Sequence, residues 1–244
     1  GRSLAISLPG EDFQIKRVQT DEEGKFYTYI TRPFGGESGF AELLPPGETP
    51  ARFSWTEPYQ WEPNIRCFHA FELDSAMAGP LLQRSVHNQI ENSYFEVKPD
   101  TLQTREAPDP FQGDVPMVFE LDEYNRFPTL RETFIEVVNY VMVRKDAAGE
   151  DSFRVLPTTE QKGSLADLDP PLVVMDGIVV PRPGALLEYN ARLIKTIKVL
   201  RGQYQIGGES YQGMVAMETI DAVYASEWES DSGARFSYLP PKQE

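Results

Sequence analysis

The sequence predicts an α+β fold in three parts: an N-terminal β-sandwich-like module, a connecting helix, and a C-terminal mixed sheet with helices. Before residue 75, apolar and polar residues alternate over short runs, which is the period of a half-buried strand. After Asp74 the spacing changes to one apolar residue in four, which is typical of a helix. Further on, two β-rich runs flank Asp176-Gly177, a dipeptide that favours a tight hairpin.

The N-terminal β-sandwich-like module is predicted over residues 1–75. Short strands are expected at residues 4–8, 13–18, 26–30 and 39–44. Proline, glycine and acidic residues separate them at nearly regular spacing, which is typical of a sandwich. Only four to six strands fit before residue 75, so the sandwich is either incomplete or borrows a strand from elsewhere.

A helix followed by a linker is predicted over residues 76–115. Apolar residues recur at every fourth position and form one stripe: Leu82, Val86, Ile90 and Tyr94. The stripe predicts a helix near residues 80–95. Pro80 suits its first turn, because proline at that place removes no helical hydrogen bond. Residues 100–113 are rich in proline and glycine and poor in apolar side chains, which indicates an extended linker.

The C-terminal domain is predicted over residues 116–224 and opens with a strand at 116–121. Thr129 and Glu132 form a capping box, in which the Thr hydroxyl accepts from a first-turn amide and the Glu side chain reaches back. This box begins a helix at 129–139. Its buried stripe is expected to be Leu130, Phe134, Val137 and Val138.

The rest of this domain alternates between strands and turns. Strands are expected at residues 141–144, 153–156, 172–175, 178–180, 194–200 and 214–220, with a short helix within 183–193. Glycines 202, 207, 208 and 213 are interpreted as a compact turn over 202–212, because glycine adopts positive φ freely. Residues 225–244 are expected to be a polar tail in which Trp228, Phe236 and Tyr238 dock in part.

The order of these motifs resembles the plug domain of TonB-dependent outer-membrane receptors. The likeness rests on Asp176-Gly177, on Ile194 through Gly202, on Tyr204 with Gly207-Gly208, and on Gly213 through Thr219. The phrase from Thr20 to Phe26 is similar to hairpins of immunoglobulin-like and macroglobulin-like modules. Together these resemblances imply part of a large, secreted, Gram-negative cell-envelope protein, periplasmic or outer-membrane-associated, possessing a binding, docking or uptake role.

Composition excludes several classes of function. The formal net charge is −15, with 38 acidic against 23 basic residues. This balance argues against sequence-independent nucleic-acid binding and against anionic lipid surfaces, since both depend on Lys and Arg. No apolar run approaches the roughly 20 residues that a membrane helix requires. Cys67 is the one cysteine, so neither an intrachain disulfide nor a thiolate zinc cluster is expected.

We expect no catalytic, cofactor-binding or metal-binding residues. Cys67 and His69 would share a strand face, but no helix start or glycine-rich turn is placed to activate the thiol. His87 lies on the predicted helix without the three or four ligands that a stable metal site takes. The glycines after residue 200 lack the Lys-Ser/Thr ending of a phosphate loop. The alternative is a hydrolase that acts on an envelope or extracellular polymer through carboxylates; Asp167 and Asp169 are one such pair, and nothing singles them out.

A candidate interaction surface remains, and its expected partner is another cell-envelope protein. It consists of Asp176, Gly177, Tyr204, Ile206 and Tyr211. Tyrosine and apolar side chains of this kind are enriched at binding hot spots. Two other interpretations stay open. The aromatic side chains can pack over the end of the sheet, or the turn can serve an enzyme as a substrate loop beside a deep polar pocket.

Overall fold

The computed structural model describes residues 1–10, 12–30, 38–46, 51–54, 74–94, 109–146, 149–158 and 170–237. The chain has the predicted α+β fold. It forms two compact units, one from Gly1–Ser54 with Ala107–Glu244 and the other from Trp55–Glu106. The domain limits inferred from sequence, at residues 75, 115 and 224, stay predictions.

The N-terminal sheet has four antiparallel strands, one of which comes from the other end of the chain. In chain order its strands are β1 (Ser3–Leu8), β2 (Gln14–Gln19), β3 (Ser38–Leu43) and β11 (Gly233–Ser237). Their order across the sheet is β11-β3-β1-β2. The borrowed strand therefore lies within the predicted polar tail, where Phe236 lies over Gly39.

The strand expected at residues 26–30 does not form. Residues 25–30 are irregular, and the Lys16 ammonium lies 3.5 Å from the centroid of the Tyr29 ring. Tyr27 and Tyr29 are 77% and 74% exposed. Alternation alone was a poor guide here, because a strand of this kind also needs a neighbour to pair with.

The second unit contains the predicted helix. A 3-10 helix at Ser75–Met77 leads into α1 (Ala78–Tyr94), and the Asp74 carboxylate accepts a hydrogen bond from the Ala76 amide at 3.3 Å. Pro80 lies in the first turn, as expected. The apolar stripe is exposed on this helix. No helix among the described residues combines the length and the apolar content that crossing a membrane requires.

A five-stranded mixed sheet forms the middle of the first unit. Its strands are β4 (Met117–Glu120), β7 (Leu172–Met175), β8 (Ile178–Val179), β9 (Ile194–Ile206) and β10 (Glu209–Thr219). They lie in the order β4-β9-β10-β7-β8, with β7 parallel to β10 and the other pairs antiparallel. A separate hairpin joins β5 (Val141–Lys145) to β6 (Asp151–Val155).

Short helices accompany this sheet. They are α2 (Leu130–Glu136), α3 (Val223–Glu227), and 3-10 helices at Leu121–Glu123, Pro183–Glu188, Ala191–Leu193 and Ile220–Ala222. The Thr129 hydroxyl accepts a hydrogen bond from the Glu132 amide at 3.3 Å, which confirms the predicted cap of α2. The helix expected within 183–193 is instead two 3-10 turns, because the chain is extended at Tyr189 and Asn190.

The predicted turn over 202–212 is mostly strand. β9 continues to Ile206 and β10 starts at Glu209, so the turn itself is Gly207-Gly208, both with positive φ. Gly213 lies at a bulge in β10, where a Cβ atom would come within 2.3 Å of the Leu200 carbonyl oxygen. Gly213 is thus required by close backbone approach and not by a reversal of the chain.

The mixed sheet is covered on both faces. One face packs against α2, the β5–β6 hairpin and the 3-10 helices, through residues such as Leu130, Phe134, Phe153, Leu187, Met175, Ile197 and Met217. The other face packs against the N-terminal sheet, through Ala5, Phe13, Phe111, Leu172, Val174, Leu200, Tyr204 and Met214. The described residues of the first unit therefore form three layers, and β7, β9 and β10 are buried between the other two.

Candidate functional site

Asp176 ties the β7–β8 turn to the segment that follows β10. Asp176 and Gly177 have φ of 49° and 81°, the positive values that the Asp-Gly dipeptide predicts for a type I′ turn. The carboxylate is buried and accepts from the Thr219 amide at 2.6 Å, the Thr219 hydroxyl at 2.5 Å and the Ala225 amide at 3.2 Å. Asp176 therefore fixes the start of α3 through its buried carboxylate.

Gly177 lies against the N-terminal sheet. A Cβ atom at this position would lie 2.7 Å from the Phe13 Cβ and 2.9 Å from the Pro9 Cα. Two residues on, the Val179 amide donates to the Ser7 hydroxyl at 3.2 Å and so satisfies a donor at the edge of β8. The β7–β8 turn is thus packed on the turn between β1 and β2.

Tyr204 and Ile206 are buried at the same interface. Tyr204 is 5% exposed, and its hydroxyl donates to the Pro110 carbonyl at 2.7 Å. Burial raises the pKa of Tyr204 to about 12, so the phenol keeps its proton at neutral pH. Ile206 belongs to the same apolar core, which also contains Phe13 and Phe111. Neither side chain offers area to an outside partner.

Tyr211 is held by a cation from the N-terminal sheet. The Arg17 guanidinium donates to the Tyr211 hydroxyl at 2.7 Å and to the Ser3 hydroxyl at 2.6 Å, and it lies 3.5 Å from the Glu209 carboxylate. Gly207 permits this approach, because a Cβ there would lie 2.7 Å from the Arg17 Cβ. Burial raises the pKa of Tyr211, so this residue is a neutral acceptor.

All five residues of the predicted interaction surface therefore contact or adjoin the seam between the N-terminal sheet and the mixed sheet. Packing, the first open alternative, describes Tyr204 and Ile206. Docking of another protein at this position stays a prediction. Such a partner would have to contact the residues that cover these buried side chains. One sequence signal for the seam was available: the small residues Ser3, Ala5 and Ser7 alternate along β1, and side chains of this size let two sheets approach closely.

The catalytic candidates do not converge in the described part of the chain. Cys67, His69, Asp167 and Asp169 lie outside the described residues. His87 lies on α1 and is exposed. Within the ranges that the structure describes, no three His, Cys, Asp or Glu side chains are grouped so as to hold a metal ion.

An open groove of about 840 Å³ lies beside the seam, and sequence patterns did not reveal it. One wall is formed by β6 and the turn before it. The other wall is formed by residues at the start of β7 and at and after the end of β8. Four prolines contribute to the lining: Pro170, Pro171, Pro181 and Pro183. Leu44, which follows β3, and Tyr211 from the seam also line it. Proline fixes φ at each of these positions, which reduces the conformational freedom of the walls.

Charged side chains stand along the groove, and those with known partners stabilise its walls. The Asp151 carboxylate binds Arg131 at 2.7 Å and Lys145 at 3.3 Å. Hydrogen bonds from both cations lower the pKa of Asp151, which keeps it ionised. Asp146 accepts from the Glu150 amide at 2.9 Å and closes the β5–β6 turn. Arg182 is exposed at the start of the 3-10 helix and supplies positive charge.

Comparisons of the chain with protein-family models, with curated proteins and with solved structures give no match.

Proposed function

We propose that this chain is a non-enzymatic binding and assembly module of a larger bacterial cell-envelope protein, periplasmic or associated with the outer membrane. Its partner is another envelope protein, bound as an extended segment in the groove between β6 and the start of β7. The resemblance of residues 172–220 to receptor plug domains supports the location. The groove supports the binding role, and it is the observation on which the proposal rests.

The groove has the features of a preformed binding site. Its volume of about 840 Å³ lies in the range of ligand-binding clefts. Its lining combines apolar residues with charges at the edges, and the prolines limit the conformational entropy that binding would otherwise cost. The accessible apolar contribution comes from Leu44, Val180 and Ala185, which are half-buried or exposed.

A binding role fits the charges better than catalysis does. General acid–base chemistry needs a carboxyl group with a raised pKa within reach of the reacting atoms. Asp151 has the opposite shift, and two cations hold it in the wall. Asp146 is engaged with the turn, and the Tyr211 hydroxyl with Arg17. These groups stabilise the shape of the groove and do not converge on one point inside it.

Photocrosslinking in envelope extract tests the proposal. A photoreactive amino acid replaces Ala185, an exposed residue of the groove lining, or Ile135, which is 67% exposed on α2 outside the groove. We expect position 185 to yield an adduct with one envelope protein, identified by mass spectrometry. Position 135 is expected not to yield that adduct. Equal adducts from both positions, or none from position 185, would overturn the proposal.

A matched pair of charge reversals makes the test specific to the groove. Arg182→Glu and Arg192→Glu change the net charge equally, and both side chains are exposed, but only Arg182 lines the groove. We expect Arg182→Glu to lower the yield of the adduct several-fold and Arg192→Glu to leave it unchanged. A similar loss in both variants would indicate non-specific attraction by the whole chain and not recognition in the groove.

A further inference from the structure

A second, smaller cleft lies at α3, apart from the groove. Its volume is about 240 Å³, and it is lined by Tyr189, Tyr224, Glu227, Trp228 and Glu229. Among the described residues, three aromatic rings and two carboxylates thus line it, with no Lys or Arg. Tyr189 comes from the end of a 3-10 helix, while the other four residues come from α3 and its exit.

The aromatic rings are fixed in place by the layers beneath them. The Tyr189 and Tyr224 rings meet edge to face, with centroids 6.2 Å apart and an interplanar angle of 76°. The Trp228 ring meets Phe40 of the N-terminal sheet at 5.0 Å and 73°. A Cβ atom at Gly233 would lie 2.7 Å from the Trp228 ring, so β11 supports the indole from another side. The cleft is therefore preformed.

The described side chains that line the cleft carry net negative charge. Glu227 and Glu229 are exposed at its rim. Burial and the charges of Asp176 and Glu227 raise the pKa of Tyr189. Burial, with smaller contributions from Glu42, Tyr189 and Asp176, raises the pKa of Tyr224 to about 12. Both phenols stay neutral, so the cleft combines aromatic rings with the carboxylates of Glu227 and Glu229.

We propose that this cleft binds a basic side chain, arginine or lysine, of a partner protein. Aromatic faces attract an organic cation through the quadrupole of the ring, and carboxylates at the rim pair with its charge. Arginine suits the site especially, since its planar guanidinium stacks on aromatic rings and forms two hydrogen bonds to one carboxylate. That the cation belongs to a protein rests on the proposed function. That the cleft prefers a cation rests on the cleft alone.

The probe is N-acetyl-arginine amide, with N-acetyl-citrulline amide as its neutral match. The chain has three tryptophans, so three indole N–H signals are expected by NMR, and Trp228→Phe assigns the relevant one. We expect the arginine compound to shift the Trp228 signal saturably, with millimolar affinity because the probe is small. N-acetyl-lysine amide is expected to act similarly, and the citrulline compound is expected to have no saturable effect.

The double variant Glu227→Gln/Glu229→Gln tests the role of the charges without removing the rings. We expect it to weaken arginine binding by about 10-fold, as the loss of complementary charges at a partly exposed site implies. Three results would overturn the proposal. The citrulline compound could bind as well as the arginine compound, or tetramethylammonium could bind more tightly than the arginine compound. The double variant could also bind the arginine compound with unchanged affinity. Crosslinking from Ala185 does not involve these residues, so failure of the cleft and failure of the groove are distinguishable.

Discussion

Replacing Asp176 by alanine is expected to destabilise the chain strongly. The buried carboxylate accepts three hydrogen bonds, from the Thr219 amide, the Thr219 hydroxyl and the Ala225 amide. A hydrogen bond to a charged group contributes about 1.5–3 kcal/mol, and a buried donor left without a partner costs about 1–3 kcal/mol. Alanine also tolerates positive φ less well than aspartate does, at a cost of about 1 kcal/mol. Because these contributions are not additive, we expect a total loss of about 3–5 kcal/mol.

Urea unfolding followed by far-ultraviolet circular dichroism measures this loss. Asp122→Ala is the matched control, because the Asp122 side chain is 80% exposed and pairs with Arg126 in a surface ion pair. Such pairs contribute about 0–1 kcal/mol. If Asp176→Ala lowered the unfolding free energy by no more than Asp122→Ala does, Asp176 would not be the tie between the β7–β8 turn and α3.

Three further predictions concern the seam and the borrowed strand. Gly177→Ala is expected to lower the free energy of unfolding in urea by about 2–4 kcal/mol, because the new methyl group would overlap Phe13. Gly208 also has positive φ, but no atom lies within 4 Å of the place of its Cβ. Gly208→Ala is therefore expected to lower the free energy of unfolding by only about 1 kcal/mol. Equal losses would contradict the packing of this turn. Tyr204→Phe removes one hydrogen bond, to the Pro110 carbonyl, and is expected to cost about 1 kcal/mol without altering the fold, as thermal unfolding would show. Burial raises the pKa of Glu42 above its ordinary value of 4.5, although hydrogen bonds from two serines oppose the shift. The folded chain therefore binds this proton more tightly than the unfolded chain does, and the stability that protonated Glu42 contributes is lost as pH rises from about 4.5 through the folded pKa. In Glu42→Gln, the urea midpoint should vary less with pH over this range. An unaltered dependence of the midpoint on pH would contradict this prediction.

Local patterns predicted the elements whose determinants lie close together in the sequence. The Asp176-Gly177 turn depends on two adjacent residues that adopt positive φ, and the start of α2 depends on Thr129 and an amide three residues away. Hydrophobic periodicity likewise placed β9, β10 and α1. In each case the physical cause and its effect lie within a few residues.

The elements that sequence missed depend on distant partners. β11 exists because β3 offers it an edge, and a segment with only modest apolar content gives no sign of this. Arg17 and Tyr211 are 194 positions apart, and no periodicity links them. The groove and the aromatic cleft arise for the same reason, because each is lined by segments that only the tertiary fold brings together. Tyr204 and Tyr211 contact distant parts of the same chain, and docking of a partner at these residues stays a prediction.

The predicted interaction residues contact or adjoin the seam between the two sheets, and we propose the groove and the cleft as the surfaces for partners. Native-state hydrogen exchange of β1 and β10 amides, in the unaltered chain and in Arg17→Ala, tests the joining of the two sheets most directly. Because Arg17 bonds across the seam, we expect both strands to open with one free energy and to lose protection equally in the variant. The joining of the two sheets would be contradicted if β1 amides exchanged while β10 amides stayed fully protected. It would also be contradicted if Arg17→Ala lowered the protection of β1 amides alone.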